Sequence, residues 1–213
     1  HDAELPLTRI GNLDLLSIEL AEEAIPTLAS ASCVLGVFEV ADTAGALVPL
    51  DLEAPYALPE DLVFGDKYRG KTNELVTQLA INVATAHFQR KGRPKTLLDP
   101  MAGRGTTLLW ALRAGLSSRG IEIDPGALDD LHRHFKRQTK VHRIKHEHNS
   151  GFVGKKNSEN KGKFQRYEAA GNYLQLIAGD SARASDLLGG QRFDLLVADL
   201  PYGVQFHGSK RRD

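Results

Sequence analysis

The sequence predicts an α/β fold, a doubly wound and mostly parallel sheet preceded by a small α+β domain. Three observations carry that expectation. Past residue 95, short apolar runs alternate with helical segments, the pattern of a parallel sheet wrapped by crossover helices. The run at 96–98 leads directly into a glycine-containing turn and then a helix. The later apolar runs each reach an acidic residue, so that Asp99, Glu122, Asp180 and Asp199 all stand at or just past run ends. A chain of 213 residues with 41% apolar composition can bury one sizeable core and carry an appendage. The appendage is expected over residues 1–60 and the sheet domain over 61–213.

In chain order, an amphipathic stretch runs from Leu13 to Leu28. Apolar runs at 33–40 and 46–52 follow, separated by the turn-prone Asp42-Thr43-Ala44-Gly45, and predict a hairpin. Cys33 is expected as a small buried side chain in the first of these strands. Pro55, Pro59 and Glu60-Asp61 read as a linker. From Lys71 the spacing becomes helical, with Leu75, Leu79, Val83 and Ala86 on one stripe and Glu74 in the first turn, where the helix dipole favours an anion. The turn at 91–94 closes that helix. A strand at 96–98, a helix at 106–114 stopped by Gly115 and a strand at 120–123 come next. Asp124-Pro125 offers a cap and a first-turn proline for a helix to about Gln138.

The rhythm then breaks. Between His132 and Glu168 there are 11 Lys/Arg against 3 Asp/Glu, with five of the eight histidines. This basic insertion, at about 137–170, is expected to be partly helical and partly flexible. Strands resume at 173–178 and 193–198. Net charge is zero and pI near 7.3, so any affinity for nucleic acid must come from a local basic surface. One cysteine excludes an internal disulfide and fits a reducing compartment. No run approaches the ~20 apolar residues that cross a bilayer, so a soluble cytoplasmic protein is expected. His142 and His146 stand at helical spacing, but without a further ligand nearby they make a poor zinc pair and no metal is expected.

The strongest local signal is Leu98-Asp99-Pro100-Met101-Ala102-Gly103-Arg104-Gly105-Thr106-Thr107, a strand entering a tight turn and a helix. Small residues there let backbone approach a ligand at the strand's carboxyl end. Asp99 would repel a pyrophosphate, and Leu108 stands where a dinucleotide fingerprint needs its third glycine. A cofactor without phosphates is favoured, and S-adenosyl-L-methionine fits, being cationic at sulfur with a free ammonium group. Glu122 falls 23 positions after Asp99, where a carboxylate can accept both ribose hydroxyls. Asp124 reads as a helix cap rather than a ligand. Gly179-Asp180-Ser181 admits two readings, an N-cap or a ligand contact.

The turn at 99–105 resembles the D-P-x-x-G-x-G motif of class I, Rossmann-like methyltransferases. Asp199-Leu200-Pro201-Tyr202 resembles the [DNS]-P-P-[YF] motif of those that methylate amino groups. The resemblance implies that S-adenosylmethionine is bound by Asp99, Pro100, Met101, Ala102, Gly103, Gly105, Thr106 and Thr107. It implies that Ile123 flanks the adenine, Asp180 accepts from the adenine amino group and the Ser181 backbone serves the ring. Asp199 and the Leu200 carbonyl would pull the hydrogens of an exocyclic amine toward pyramidal geometry, with Tyr202 stacking on an extruded base. Leucine at 200, in place of proline, is similar to the transfer RNA guanine methyltransferases rather than to the DNA adenine enzymes, which remain the alternative. Lys67-Tyr68-Arg69-Gly70-Lys71-Thr72-Asn73 is similar to segments in bacterial relatives of the guanine enzymes and implies that Thr72 and Asn73 lie near the cofactor's amino-acid end; a plain helix cap is the other reading. The family carries three further strands after the last motif, so the sequence is expected to be a piece of a longer chain. RNA, transfer RNA foremost, is the expected partner, met partly through the basic insertion.

Two rival functions compete. Gly65 to Thr72 matches G-x-x-x-x-G-K-T, and residues 195–199 could serve as the acidic strand of a P-loop nucleotidase. That loop needs a buried strand before it, and 59–64 offers barely three apolar residues. A non-catalytic RNA-binding module, motivated by the basic insertion, is the second.

Overall fold

The computed structural model describes residues 6–41, 46–52, 55–64, 72–89, 92–154 and 161–200. The chain divides into two compact units, 1–55 and 56–213. In the first, β1 (Leu7–Ile10) and β2 (Leu13–Leu16) form an antiparallel hairpin, a short turn leads into α1 (Ile25–Leu28), and β3 (Val37–Val40) pairs antiparallel with β4 (Leu47–Leu50). The hairpin expected from the runs at 33–40 and 46–52 is therefore present, with its turn residues 42–45 outside the described ones. The stretch 13–28 is not one amphipathic element. Leu13–Leu16 pairs back on β1, and only its far end is helical. Cys33 is exposed in the turn before β3 rather than buried in a strand, because pairing begins only at Val37. Two-stranded pieces have no second layer to bury against, and no described residue of this unit is buried.

The second unit begins at Tyr56, earlier than the boundary at 60 expected from the prolines. Residues 56–64 are part of its core. Leu58 is buried and its carbonyl accepts from Arg113 Nε at 3.1 Å, while the Tyr56 and Phe64 rings stand edge-on to Trp110 at 5.9 and 5.7 Å. α2 (Asp61–Phe64) buries Leu62 and Val63. α3 (Glu74–Ala86) is capped by Asn73, whose side chain accepts from the Leu75 and Val76 amides at 2.9 and 3.4 Å. The stripe Leu75, Leu79, Val83 is exposed, contrary to expectation; α3 turns Thr77, Gln78 and Ile81 inward instead.

The sheet is mixed and six-stranded. It comprises β5 (Thr96–Asp99), β6 (Ser117–Glu122), β7 (His146–Val153), β8 (Gly162–Ala169), β9 (Asn172–Ala178) and β10 (Leu195–Leu196), in the order β10-β5-β6-β9-β8-β7. The first four strands are parallel, and β8 and β7 are added antiparallel. α4 (Thr106–Arg113) follows β5, α5 (Gly126–Val141) follows β6, and α6 (Ala184–Leu188) follows β9. The main core, with Leu97, Leu108, Trp110, Leu128, Leu131, Phe135, Leu174 and Leu176, fills the face under α4 and α5. Ile121, Ile177, Leu187 and Leu188 form a smaller core on the other face, so helices flank both sides.

The basic insertion is the largest correction. Helix α5 runs to Val141, and among the described residues most of the remainder is the pair β7 and β8, which extends the sheet; residues 155–160 lie outside the described ones. Its strand character is visible in β8, where Gln165, Tyr167 and Ala169 are buried in alternation. β7 is an edge strand, exposed over most of its length, so polar residues suffice there and the apolar alternation is missing.

Gly120 shows how tightly the β5–α4 turn packs on the next strand. A methyl group at its α-carbon would come within 2.6 Å of Ala102 Cβ and 2.9 Å of Leu108 Cδ1. Gly120→Ala is expected to lower stability by about 1–3 kcal/mol, read as an earlier urea midpoint; an unmoved midpoint would show the turn to be slack.

Candidate functional site

Register places the acidic residues at one edge of the sheet. Asp99 pairs with Gly120, Glu122 with Ala178, and Leu196 with Leu98, so Asp99, Glu122, Asp180 and Asp199 all lie at or just past the carboxyl ends of the four parallel strands. Backbone bonds tie the tips together. The Ala102 amide donates to the Ile121 carbonyl at 3.0 Å, Gly179 to the Glu122 carbonyl at 2.8 Å and Val197 to the Leu98 carbonyl at 3.0 Å.

Asp99 is only 2% exposed. Its Oδ1 accepts from the Met101 amide at 3.0 Å, and Thr107 donates to it from the first turn of α4. Burial pushes its pKa up to about 6, with the Glu122 and Asp199 carboxylates adding to the rise, and the two hydrogen bonds only partly offset this. The turn itself uses glycine where it must. Gly103 and Gly105 have φ of 52° and 88°, and a Cβ on Gly105 would press Leu131 at 3.3 Å. Arg104 pairs with Asp130 at 2.8 Å. Thr106 and Ala102 are buried, whereas Met101 is 42% exposed beside Pro100 in the turn.

Glu122 braces this turn. Its Oε2 accepts from the Gly103 amide at 2.8 Å and its Oε1 from the Asp124 amide at 2.9 Å. A carboxylate has about four acceptor directions, so two remain for hydroxyl groups. The same bond matters for anions: the Gly103 N–H, which a phosphate in this turn would need, is already engaged by a carboxylate. Ile123, directly after Glu122, is exposed. Asp124 accepts from the Gly126 amide at 2.9 Å just ahead of α5, whose N-cap position is held by Pro125 rather than by Asp124 as expected. Asp180 likewise accepts from the Ala182 amide at 2.9 Å, ahead of the short turn that starts at Ser181. Capping is thus one use of Asp180, and it does not occupy the whole carboxylate.

Asp199 meets Thr72. The threonine hydroxyl donates to Asp199 Oδ2 at 2.6 Å, joining residues 127 positions apart. Thr72 therefore belongs to the site, while the side-chain oxygen of Asn73 is engaged in capping α3. Leu200 is exposed; Pro201 and Tyr202 lie outside the described residues, as does most of the 65–72 segment. Where the nucleotidase reading requires a strand before that segment, Asp61–Phe64 is a turn of helix. Among the described residues no three His, Cys, Asp or Glu side chains gather to hold a metal. His142 faces Asp61 at 3.3 Å, and His146 packs its ring against Phe135, so the two histidines do not form a pair.

One residue that the sequence reading passed over holds the site in shape. The Asp194 carboxylate accepts from the Lys95 and Thr96 amides at 2.9 and 3.1 Å and from the Thr96 hydroxyl at 3.1 Å, locking the entries of β5 and β10 in register. Its signal in the sequence is a charge placed at the head of an apolar strand. A cavity of about 490 Å³ lies on the α6 face, lined by Arg119, Val153, Asp186 and Leu187 among others, and shares none of the acidic tips.

Chemically, the edge offers one desolvated carboxylate, a second with unfilled acceptor directions, and a third held by a hydroxyl, next to the exposed apolar side chains Met101, Ile123 and Leu200. That set suits a ligand bearing positive charge, hydroxyl groups and an apolar ring, and disfavours phosphates. No protein-family model matches the chain, and a search of curated proteins finds no match. No helix among the described residues is long and apolar enough to cross a membrane.

Proposed function

We propose that the chain is a class I, Rossmann-like methyltransferase that uses S-adenosyl-L-methionine to methylate an exocyclic amino group of a nucleic-acid base, with guanine in transfer RNA the leading substrate. The observation that carries the reading is the buried Asp99 carboxylate, pushed up to about 6 and standing with Glu122 and Asp199 at one edge of the parallel strands. A sulfonium or ammonium group is the ligand chemistry that such a cluster of carboxylates favours.

S-adenosylmethionine supplies the methyl group and the leaving sulfur. The chain's residues do the positioning. Asp99 answers the ligand's positive charge, Glu122 takes ribose hydroxyls on its free acceptor directions, and Ile123 offers an apolar flank to the adenine. Asp199 accepts one amine hydrogen and the Leu200 carbonyl the other, which draws the nitrogen out of conjugation with its ring. Thr72 fixes one Asp199 oxygen and so orients the carboxylate. As the nitrogen takes the methyl group, its surplus proton leaves through Asp199 or water.

The test is mass spectrometry of nucleosides from bulk transfer RNA incubated with the protein and methyl-labelled cofactor. Label in a guanosine supports the reading. Label confined to DNA adenine, or to protein, contradicts the substrate. The nucleotidase reading has one observation in its favour, the Thr72–Asp199 bond, which would also suit a pair of magnesium-holding side chains. The helical Asp61–Phe64, where that loop needs a strand, weighs against it.

A further inference from the structure

The exposed aromatic on the β7–β8 hairpin is unexplained by the site at the strand tips. Phe152 is 70% exposed and stands directly opposite Lys163 across the strand pair. Side chains so paired share a face and lie about 5 Å apart. Lys161, just before β8, and Lys163 are exposed. The sheet register adds the decisive placement. Ile121 pairs with Ile177, Ile177 with Phe164 and Phe164 with Gly151, so Phe152 and Lys163 stand one residue beyond that row, at the same carboxyl edge as Glu122.

We infer that the β7–β8 hairpin is a binding arm for single-stranded RNA, on which Phe152 stacks an unpaired base and Lys163 meets a neighbouring phosphate. This deepens the proposed function and rests on its choice of a nucleic-acid substrate. An aromatic face paired with a lysine is what an unpaired, negatively charged strand requires, because every base offers a π-face and every nucleotide a charge. Lysine is depleted at the cores of protein interfaces, which argues against a protein on this surface. Five strand spacings separate β10 from β7, roughly 24 Å. A ligand that reaches both Asp199 and Phe152 must therefore be a polymer of several nucleotides, and the arm grips the substrate well away from the base undergoing reaction.

Fluorescence anisotropy of the whole chain with a labelled, mixed-sequence single-stranded RNA tests this. Phe152→Ala is expected to weaken binding about five- to one-hundred-fold, and Phe152→Trp to retain it. Lys163→Ala should flatten the dependence of log affinity on log salt by about 0.7. Phe152 is exposed, so the variants fold as the parent does, and S-adenosylhomocysteine titration of each should give the parent affinity. Parent-like RNA binding by Phe152→Ala, equal binding of a fully paired RNA, or tighter binding of the DNA version of the oligonucleotide would each overturn the inference. RNA binding through Phe152 in a protein that ignores S-adenosylhomocysteine would uphold the arm and sink the methyltransferase reading. Binding of S-adenosylhomocysteine with no RNA binding would sink the arm alone.

Discussion

Asp199→Ala is expected to bind S-adenosylhomocysteine as tightly as the parent and to transfer methyl groups on the order of a hundred- to a thousand-fold more slowly. The split follows from geometry. Asp199 lies beyond the end of β10 and is held by Thr72, apart from the Glu122 brace on the turn at 101–105; in the proposed reading the former serves the substrate and the latter the cofactor. Removing one preorganised polar partner from a reacting group typically costs that much in kcat. Backbone bonds at the tip do not involve the Asp199 side chain, since Val197 bonds to Leu98 through main-chain atoms, so the fold should persist. Thr72→Val, which keeps the shape and removes the hydroxyl, should reproduce a fraction of the loss in kcat with KM for the cofactor little changed. Full turnover in Asp199→Ala would remove that residue from the mechanism.

Asp99→Asn is expected to stabilise the ligand-free protein above pH 6 and to weaken cofactor binding. Folded Asp99 keeps its proton up to about pH 6, whereas the unfolded chain releases it near the ordinary 3.8. Between these values the folded state holds more protons, so its stability falls as pH rises through that window and stays lower above it. The shift of about two pH units corresponds to about 3 kcal/mol for a side chain only 2% exposed. Asparagine keeps an acceptor for the Met101 amide without the charge. Urea unfolding should therefore separate the two proteins by up to about 3 kcal/mol at pH 8 and hardly at all at pH 4. Cofactor affinity in the parent should rise as pH increases through about 6, because the cationic ligand selects the ionised carboxylate, and that rise should be absent in Asp99→Asn. A parent protein equally stable relative to Asp99→Asn at both pH values would mean that Asp99 is not desolvated.

What the sequence disclosed and what it hid divide along physical lines. The turn at 99–105 was legible because left-handed backbone at Gly103 and Gly105, followed by a helix, has few sequence solutions. The strands at 96–98 and 173–178 were legible because strands covered on both faces are mostly apolar, and β9 buries Leu174, Leu176 and Ile177 on its two faces with Gln175 as a buried polar interruption. The hairpin in the basic segment was not, since β7 is an edge strand with little to bury and its composition resembles a solvated loop. The α3 stripe misled for the opposite reason. Leu75, Leu79 and Val83 have the spacing of a core face, but periodicity does not say which face meets the sheet; the packing of Ile81 and Thr77 decides that. Of the site, the carboxylates could be named from spacing. The Thr72–Asp199 bond, the Glu122 brace on Gly103 and the Asp194 clamp on β5 depend on strands adjacent in space and distant in sequence, and these only the fold reveals.

In the proposed function the tips bearing Asp99, Glu122 and Asp180 form one seat for a positively charged, phosphate-free ligand, with Asp199 beside it for the substrate. Isothermal titration of the protein with S-adenosylhomocysteine and, separately, with magnesium-ATP at pH 7.5 tests that seat directly. One equivalent of S-adenosylhomocysteine should bind, with no heat from the nucleotide. Saturable binding of magnesium-ATP without binding of S-adenosylhomocysteine would contradict it.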